Sequence, residues 1–158
     1  PVPSEPVPFS HTGQMYPPFL ASCVKYTSGC SSITQKAAEA AYTGDQTCVE
    51  KMRQAFEKRR DLVINLIKEI PGLEVTVPNG AFYVFPQCKA FFGKKTQKGE
   101  LIKDANDLAM YLLTEGHVAC VSGDAFGDPN CIRMSYATSD DNLKEAFDRI
   151  KNALATLK

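Results

Sequence analysis

The sequence predicts an α+β domain in which helices pack on a small, largely antiparallel sheet. Three observations lead to this fold class. Apolar residues recur at helical spacing in four segments. Short apolar or alternating runs bounded by turn residues lie between them and read as strands. The segments follow one another in the order α-α-β-β-α-β-β-α, which is typical of helices layered on one side of a sheet.

The first twenty residues differ from the rest of the chain. They hold six of the ten prolines. Proline is excluded from helix interiors and from central strands, so residues 1–20 are predicted to form an extended arm or a disordered segment. The remaining residues, 21–158, are enough for one domain with a core of its own.

Four helices are predicted from apolar spacing and from capping residues. The first begins near Ser32, whose spacing to a glutamine three residues later has the form of a capping box, and it ends at Gly44. The second covers about 45–70, the third about 104–115 after an aspartate cap, and the fourth follows Ser139. The apolar stripe of the fourth helix consists of Leu143, Phe147, Ile150, Leu154 and Leu157.

Four strands are predicted between these helices. Residues 73–77 alternate apolar and polar side chains, and 78–80 is a Pro-Asn-Gly turn, so 81–85 is expected to return as the second strand of a hairpin. The third strand is expected at 118–121 as a short buried segment. The fourth is expected at 131–137.

Composition limits the kinds of partner that this chain is expected to have. Eighteen basic and 18 acidic residues cancel, which gives no support for nucleic acid or an anionic membrane as a partner. No apolar run is long enough to span a bilayer, and no signal-peptide pattern opens the chain, so a cytoplasmic location is expected. The six cysteines form neither a C-x-x-C pair nor a zinc-like cluster with histidine, and they are expected to be reduced core residues without metal.

Arg133 is the most informative candidate for function. Alternation along its strand places Ile132 and Met134 on one face, with Arg133 and Ser135 on the other. A guanidinium held in such a strand needs an anion, and its planar fork matches a carboxylate through two hydrogen bonds. The residues alone leave two partners open, which are an internal Asp or Glu and the carboxylate of a bound substrate.

Two other features have ordinary interpretations. His117 lies near a helix C-terminus, where a histidine complements the helix dipole without any catalytic role. Residues 122–127 carry two glycines but lack the lysine and hydroxyl of a phosphate-binding loop, and they are interpreted as a tight turn.

Several motifs, taken in order, resemble the small domain of class I pyridoxal-phosphate-dependent aminotransferases of the aspartate aminotransferase type. Residues 80–85 (GAFYVF) look like the strand that follows the family's inter-domain helix. Residues 121–127 (VSGDAFG) are similar to its V-x-P-G-x-x-F-G loop, with serine in place of proline. Residues 133–137 (RMSYA) resemble its R-x-S-Y-A signature. The resemblance extends from about Lys25 to Lys158.

The resemblance implies specific roles. Arg133 would hold the substrate α-carboxylate, and Phe82 would lie beside the substrate. The loop of Thr27, Ser28 and Gly29 would approach the partner subunit's active site in a homodimer. The parent enzyme would transfer the amino group of an amino acid such as aspartate to 2-oxoglutarate through pyridoxal phosphate. A lyase or carbon–carbon bond-forming transferase of the same fold, or a non-catalytic interaction module, are the alternatives.

The family's Schiff-base lysine has no counterpart in this sequence. Lys25 stands in a Ser-x-x-Lys context, but it immediately precedes the segment that opens the small domain, whereas the family's lysine lies several tens of residues earlier. The resemblance therefore implies that the cofactor is bound mainly by a large domain outside this chain. The chain alone is expected to be inactive.

Overall fold

The structure is a computed structural model, and it describes residues 31–158. The predicted proline-rich arm, residues 1–20, lies outside the described residues. The chain divides into two compact units, Pro1–Cys48 and Val49–Lys158. Within residues 31–158 there are four α-helices and a three-stranded antiparallel sheet, which confirms the predicted α+β class.

Helix α1 (Ser32–Thr43) belongs to the first unit. Its N-cap is Ser31, whose Oγ accepts a hydrogen bond from the amide of Thr34 at 3.3 Å. The prediction that Ser32 caps this helix was therefore wrong by one residue, because Ser31 offers the same hydroxyl one position earlier. Gly44 ends the helix as predicted, and its amide donates to the carbonyl of Ala40 at 3.0 Å.

Helix α2 (Thr47–Lys68) is shorter at both ends than the predicted 45–70. The Asp45 carboxylate accepts a hydrogen bond from the Thr47 amide at 2.9 Å, so Asp45 precedes the helix instead of belonging to it. At the other end the Ile70 amide bonds to the carbonyl three residues back, which makes a tighter final turn. The apolar face of α2 is buried at Val63 and Ile67.

The sheet contains β1 (Tyr83–Val84), β2 (Val121–Ser122) and β3 (Ile132–Ser135). β3 is central, and both neighbours run antiparallel to it. Tyr83 lies opposite Ser135 in the first pair, and Val121 lies opposite Arg133 in the second. This register fixes which side chains share a face with Arg133.

The predicted strand at 73–77 is wrong, because only the single bridge between Glu74 and Gln87 forms there. Continuing the ladder from that bridge would place Val75 opposite Pro86. Glu74 and Gln87 exchange both backbone hydrogen bonds, so the next bonded pair would be Thr76 with Phe85, and no backbone hydrogen bond joins those two residues. In this register the backbone groups of Pro86 point away from residues 73–77. Pro86 instead uses its carbonyl, which accepts a hydrogen bond from the amide of Ile132 at 3.1 Å.

The predicted buried strand at 118–121 is also wrong in its extent. Pairing begins only at Val121, which is 46% exposed. The Val118 amide is instead used by the preceding helix, since it donates to the carbonyl of Leu112 at 3.0 Å. The chain thus caps that helix before it joins the sheet.

Two further helices complete the second unit, and both caps agree with the sequence. Helix α3 (Ala105–Thr114) is capped by Asp104, which accepts hydrogen bonds from two backbone amides. Helix α4 (Asp140–Ala155) is capped by Ser139, whose hydroxyl accepts from the Asn142 amide. The predicted stripe of the last helix is buried at Leu143, Phe147, Ile150, Leu154 and Leu157.

One hydrophobic cluster joins α2, α3 and α4 to a single face of the sheet. The sheet contributes the side chains of Val84, Ile132 and Met134 to this cluster. The opposite face of β3 carries Arg133 and Ser135, and the cluster does not cover it. In the part of the chain that the structure describes, no helix is both long and apolar enough to cross a membrane.

Candidate functional site

The candidate site lies on the face of β3 that points away from the core. Ile132 and Met134 are buried on the core face, while Arg133 is half-buried and Ser135 exposed on the other, so the predicted alternation is confirmed. Tyr83 shares the open face, because it lies opposite Ser135 in the β1–β3 pair. The register therefore brings an aromatic ring from β1 next to the arginine of β3.

Two aromatic rings contact the guanidinium of Arg133. Its Cζ lies 3.9 Å from the ring centre of Phe126 and 4.6 Å from the ring centre of Tyr83. Both distances are within the range of a favourable cation–π interaction. The rings cover part of the guanidinium without using its N–H donors.

Arg133 forms no ion pair with any Asp or Glu among residues 31–158. Other arginines of the chain do have such partners; Arg53, for example, pairs with Glu50 and Glu57. Of the two partners that the sequence left open, the described residues therefore supply no internal acid. A bound carboxylate stays the prediction for this arginine.

Phe126 reaches Arg133 from a short loop that is tightly hydrogen-bonded. The loop forms a 3-10 turn over Gly123–Phe126, and Ser122 caps it by accepting a hydrogen bond from the Asp124 amide. The Asp124 carboxylate accepts hydrogen bonds from the Asn106 side chain at 2.6 Å and from the Ser122 hydroxyl at 3.0 Å. The loop is thus tied to the start of α3 as well as to β2.

Backbone amides of this loop are used internally. The Gly123 amide donates to the carbonyl of Cys131 at 2.8 Å, and those of Gly127 and Asp128 donate to carbonyls within the turn at 3.3 Å. A phosphate cradle needs several such amides pointing at a ligand. The loop is therefore a tight turn, as interpreted from the sequence.

Gly123 allows the loop to lie close to β3. A Cβ at this position would stand 2.1 Å from the carbonyl oxygen of Asp128 and 2.6 Å from that of Cys131. It would also stand 2.9 Å from the ring of Phe85, which itself meets Phe126 edge-on at 6.5 Å. Only glycine fits without moving the backbone that presents Phe126.

Phe82 lies one ring away from Arg133. Its side chain is 39% exposed and its ring centre is 4.4 Å from that of Tyr83, which in turn contacts the arginine. The Phe82 carbonyl accepts the Tyr136 amide at 2.9 Å, which extends the pairing of β1 with β3 by one residue. The structure thus brings Phe82 into the aromatic group beside Arg133, with Tyr83 between them.

Several other sequence candidates lie elsewhere. Thr27, Ser28, Gly29 and Lys25 are outside the described residues. His117 is exposed and follows α3 in a left-handed conformation with φ 52°. It lines a surface depression whose lining includes neither Arg133 nor the rings of Tyr83, Phe126 and Phe82.

The described cysteines are free thiols. Burial raises the pKa of Cys88 to about 12 and the pKa values of Cys120 and Cys131 to about 11, so these thiols stay protonated at neutral pH. Cys48 was expected in the core, but it is exposed. It lies in the first turn of α2, whereas the buried residues of that helix lie toward its other end. No group of three or more His, Cys, Asp or Glu side chains suited to a metal occurs within residues 31–158.

Sequence reasoning did not identify the contact of Tyr83 and Phe126 with Arg133. Both residues were part of the motifs noted in the sequence, but neither was given a role. The available signal for Tyr83 was the alternation of β1, which places residues 83 and 85 on one face. For Phe126 no local signal exists, because its position depends on how the loop folds back over β3.

A family model and curated relatives both point to one protein family. The model for "Aminotransferase class I and II" matches residues 20–150. An aspartate aminotransferase from Rhizobium meliloti (strain 1021) is 47% identical over 127 residues, which are 80% of this chain and 31% of that protein. A bifunctional aspartate aminotransferase and glutamate/aspartate-prephenate aminotransferase from Petunia hybrida is 43% identical over 148 residues, or 89% of this chain and 31% of that protein.

Solved structures give the same result. The crystal structure of an aspartate aminotransferase from Rhizobium meliloti matches with a TM-score of 0.81 and 43% identity, over 88% of this chain and 35% of that one. An aspartate aminotransferase from Thermotoga maritima matches with a TM-score of 0.67 and 31% identity, over 86% and 32% of the two chains. The chain thus spans about a third of the length of the relatives that it matches.

Proposed function

The chain belongs to the class I and II aminotransferase family, and on that premise we propose that residues 21–158 are the small C-terminal domain of a pyridoxal-phosphate-dependent enzyme. The reaction would move the amino group of an amino acid such as aspartate to 2-oxoglutarate. The short coverage of the relatives supports the view that the rest of the enzyme lies in a large domain outside this sequence. A homodimer in the cytoplasm is part of the same proposal.

The observation that carries this proposal is the environment of Arg133. Its guanidinium is half-buried, lies against two aromatic rings and has no acidic partner among the described residues. A cation in such a place binds an anion favourably, and a carboxylate can accept two parallel N–H bonds from it. We assign the substrate α-carboxylate to this position.

Binding the α-carboxylate at Arg133 would fix one end of the substrate. The Cα–H bond would then be held in one orientation relative to the rest of the active site, which lowers the entropic part of the barrier. Phe82, within the same aromatic group, would border the substrate. Thr27, Ser28 and Gly29 would approach the active site of the partner subunit, a role that rests on the sequence resemblance alone.

We propose that the lysine that binds the cofactor lies outside the described residues. Every lysine within residues 31–158 is exposed or half-buried. A lysine that attacks a carbonyl is usually desolvated so that its amine is neutral. The residues that contact Arg133, Tyr83 and Phe126, carry no positive charge that could help to bind the phosphate of the cofactor. On the sequence resemblance we place cofactor binding mainly in a large domain outside this chain, and we expect the chain alone to be inactive.

The test is to replace Arg133 in the full-length enzyme. Arg133→Leu should lower kcat/KM for amino acid donors by about 30-fold or more, because removing one member of a buried charged pair costs roughly 2–5 kcal/mol. Arg133→Lys keeps the charge but loses the planar fork, so its loss should be smaller than that of Leu. The measurement is a steady-state transamination assay with aspartate and 2-oxoglutarate.

A matched control is Arg149→Leu. Arg149 lies on α4, pairs with Glu145 and has a side chain that is 48% exposed, so its removal should leave kcat/KM unchanged. The proposal fails if Arg133→Leu transaminates as well as the Arg149 control. It also fails if the full-length protein transfers no amino group from any amino acid.

A further inference from the structure

We propose that Phe126 and Tyr83 are positioning residues that hold the Arg133 guanidinium in the orientation in which its N–H edge meets a substrate carboxylate. This inference rests on the proposed function of Arg133 and adds to it two residues that act through the arginine. Neither ring needs to touch the substrate for this role.

The geometry supplies the first argument. An arginine side chain has several rotatable bonds, and ordering it costs conformational free energy unless something else has already ordered it. Within residues 31–158 no carboxylate orients Arg133. Its guanidinium lies instead 3.9 Å from the ring centre of Phe126 and 4.6 Å from the ring centre of Tyr83.

The rings are themselves held in place, which a positioning role requires. Phe126 meets Phe85 edge-on with an interplanar angle of 85°, and its loop is fixed by the hydrogen bonds of Asp124. Tyr83 packs on Phe82 at 4.4 Å and lies in β1, which pairs with β3 itself. Both rings are therefore held by contacts other than the one to Arg133.

The kind of contact decides what Arg133 can still bind. A ring stacked on the guanidinium covers its π face and leaves the N–H donors at the edge of the plane. An acidic partner would have used those donors, whereas an aromatic partner leaves them available to a ligand. A planar carboxylate approaching in the guanidinium plane is the ligand that makes two parallel hydrogen bonds there. Pre-ordering by the rings improves affinity because less freedom is lost on binding.

The test compares Phe126→Leu with Phe126→Tyr in the full-length enzyme. Leucine keeps an apolar side chain but removes the π face, so KM for both the amino acid and the oxo acid should rise about 3- to 30-fold, the factor expected for a lost cation–π contact. The effect should fall on KM and not on kcat, as expected when ground state and transition state lose the same contact. Tyrosine keeps the ring and should restore KM. Tyr83→Leu and Tyr83→Phe form a second pair with the same expectation.

A double-mutant cycle shows whether Phe126 acts through Arg133. In the Arg133→Leu background, Phe126→Leu should cause no further rise in KM, because the group that it positions is gone. The half-reaction with an amine that lacks the α-carboxylate should likewise be unaffected by Phe126→Leu. Leu113→Ala is a control of equal exposure, since both side chains are 46% exposed, and it should leave KM unchanged.

Each outcome separates this inference from the proposed function. If Arg133→Leu raises KM but neither Phe126→Leu nor Tyr83→Leu does, the positioning role is overturned and the carboxylate assignment stands. Additive effects of the Phe126 and Arg133 changes overturn it as well, because the ring would then act on its own. If Arg133→Leu leaves kcat/KM unchanged, the proposed function and this inference both fail.

Discussion

The two faces of the central strand β3 differ in almost every physical respect. Ile132 and Met134 point into the hydrophobic cluster and are at most 7% exposed. Arg133 and Ser135, which alternate with them, point to a face that the three helices of the second unit leave open. The side chains of the first face pack into the chain's own core. The guanidinium on the second face contacts two aromatic rings and forms no ion pair with an acid among the described residues.

This difference separates the residues that stabilise the fold from the residue that we propose binds substrate, although all of them lie in one four-residue strand. Because side chains alternate in a strand, the residues that anchor β3 in the core also fix the direction of Arg133. A slip of one residue would exchange the two faces and bury the charge. The pairings of Tyr83 with Ser135 and of Val121 with Arg133 hold the register from both sides.

Replacing a residue on the core face should have the largest effect on stability. Ile132 is fully buried, so Ile132→Ala should reduce the free energy of unfolding by about 2–5 kcal/mol through lost burial and the cavity left behind. The matched change on the open face is Val121→Ala at a side chain that is 46% exposed, where a loss of about 0.5 kcal/mol or less is expected. Urea unfolding measures both.

Equal losses from these two changes would contradict the comparison. They would show that another part of the protein covers the open face as tightly as the core covers Ile132. A large loss from Val121→Ala alone would locate the stabilising contacts on the side that we assign to binding.

Gly123 tests whether the open face tolerates added atoms. A methyl group there would stand 2.1 Å and 2.6 Å from two backbone carbonyl oxygens, so Gly123→Ala should destabilise the protein by about 1–3 kcal/mol through forced backbone shifts. Gly80 is the control, because nothing lies within 4 Å of the atom added there. Thermal unfolding should show a lower midpoint for Gly123→Ala and little change for Gly80→Ala. Equal midpoints would mean that the loop carrying Phe126 moves away freely.

The parts of this arrangement that follow from local pattern could be predicted from the sequence. The alternation of β3, the cap at Asp104 and the cap at Ser139 all depend on residues within a few positions of one another, and all three were confirmed. The motifs around Arg133 were sufficient to indicate the family, which the comparisons confirm.

The parts that depend on distant pairing could not be predicted in the same way. Residues 73–77 have the alternation of a strand, yet only Glu74 pairs there, in a single bridge with Gln87, and the alternation of a segment does not specify which partner it meets or for how long. The contact of Phe126 with Arg133 joins a loop to a strand through tertiary packing. Alternation in a strand does not specify which neighbour fills the space above a side chain.

Ser122 provides the smallest expected effect and the finest test of how the two faces are linked. It lies opposite Ile132 and is buried, but its hydroxyl donates to Asp124 in the loop that carries Phe126. The family's loop has proline at this position, and the backbone of Ser122, with φ −56° and ψ 144°, already suits proline. The Gly123 amide donates to Cys131, so alternation leaves the Ser122 amide outside the ladder, where proline removes no strand bond.

Ser122→Ala should lower the free energy of unfolding by about 0.5–1.5 kcal/mol, because the hydroxyl that caps the turn is lost. Ser122→Pro loses the same hydroxyl but restricts the unfolded chain, so it should be about 0.4–1 kcal/mol more stable than the alanine variant. If the stability of the loop is what keeps Phe126 on Arg133, KM for the amino acid should be higher in the alanine variant than in the proline variant. A proline variant less stable than the alanine variant would contradict this expectation, because it would show that the backbone of Ser122 does not accept proline or that its N–H is needed.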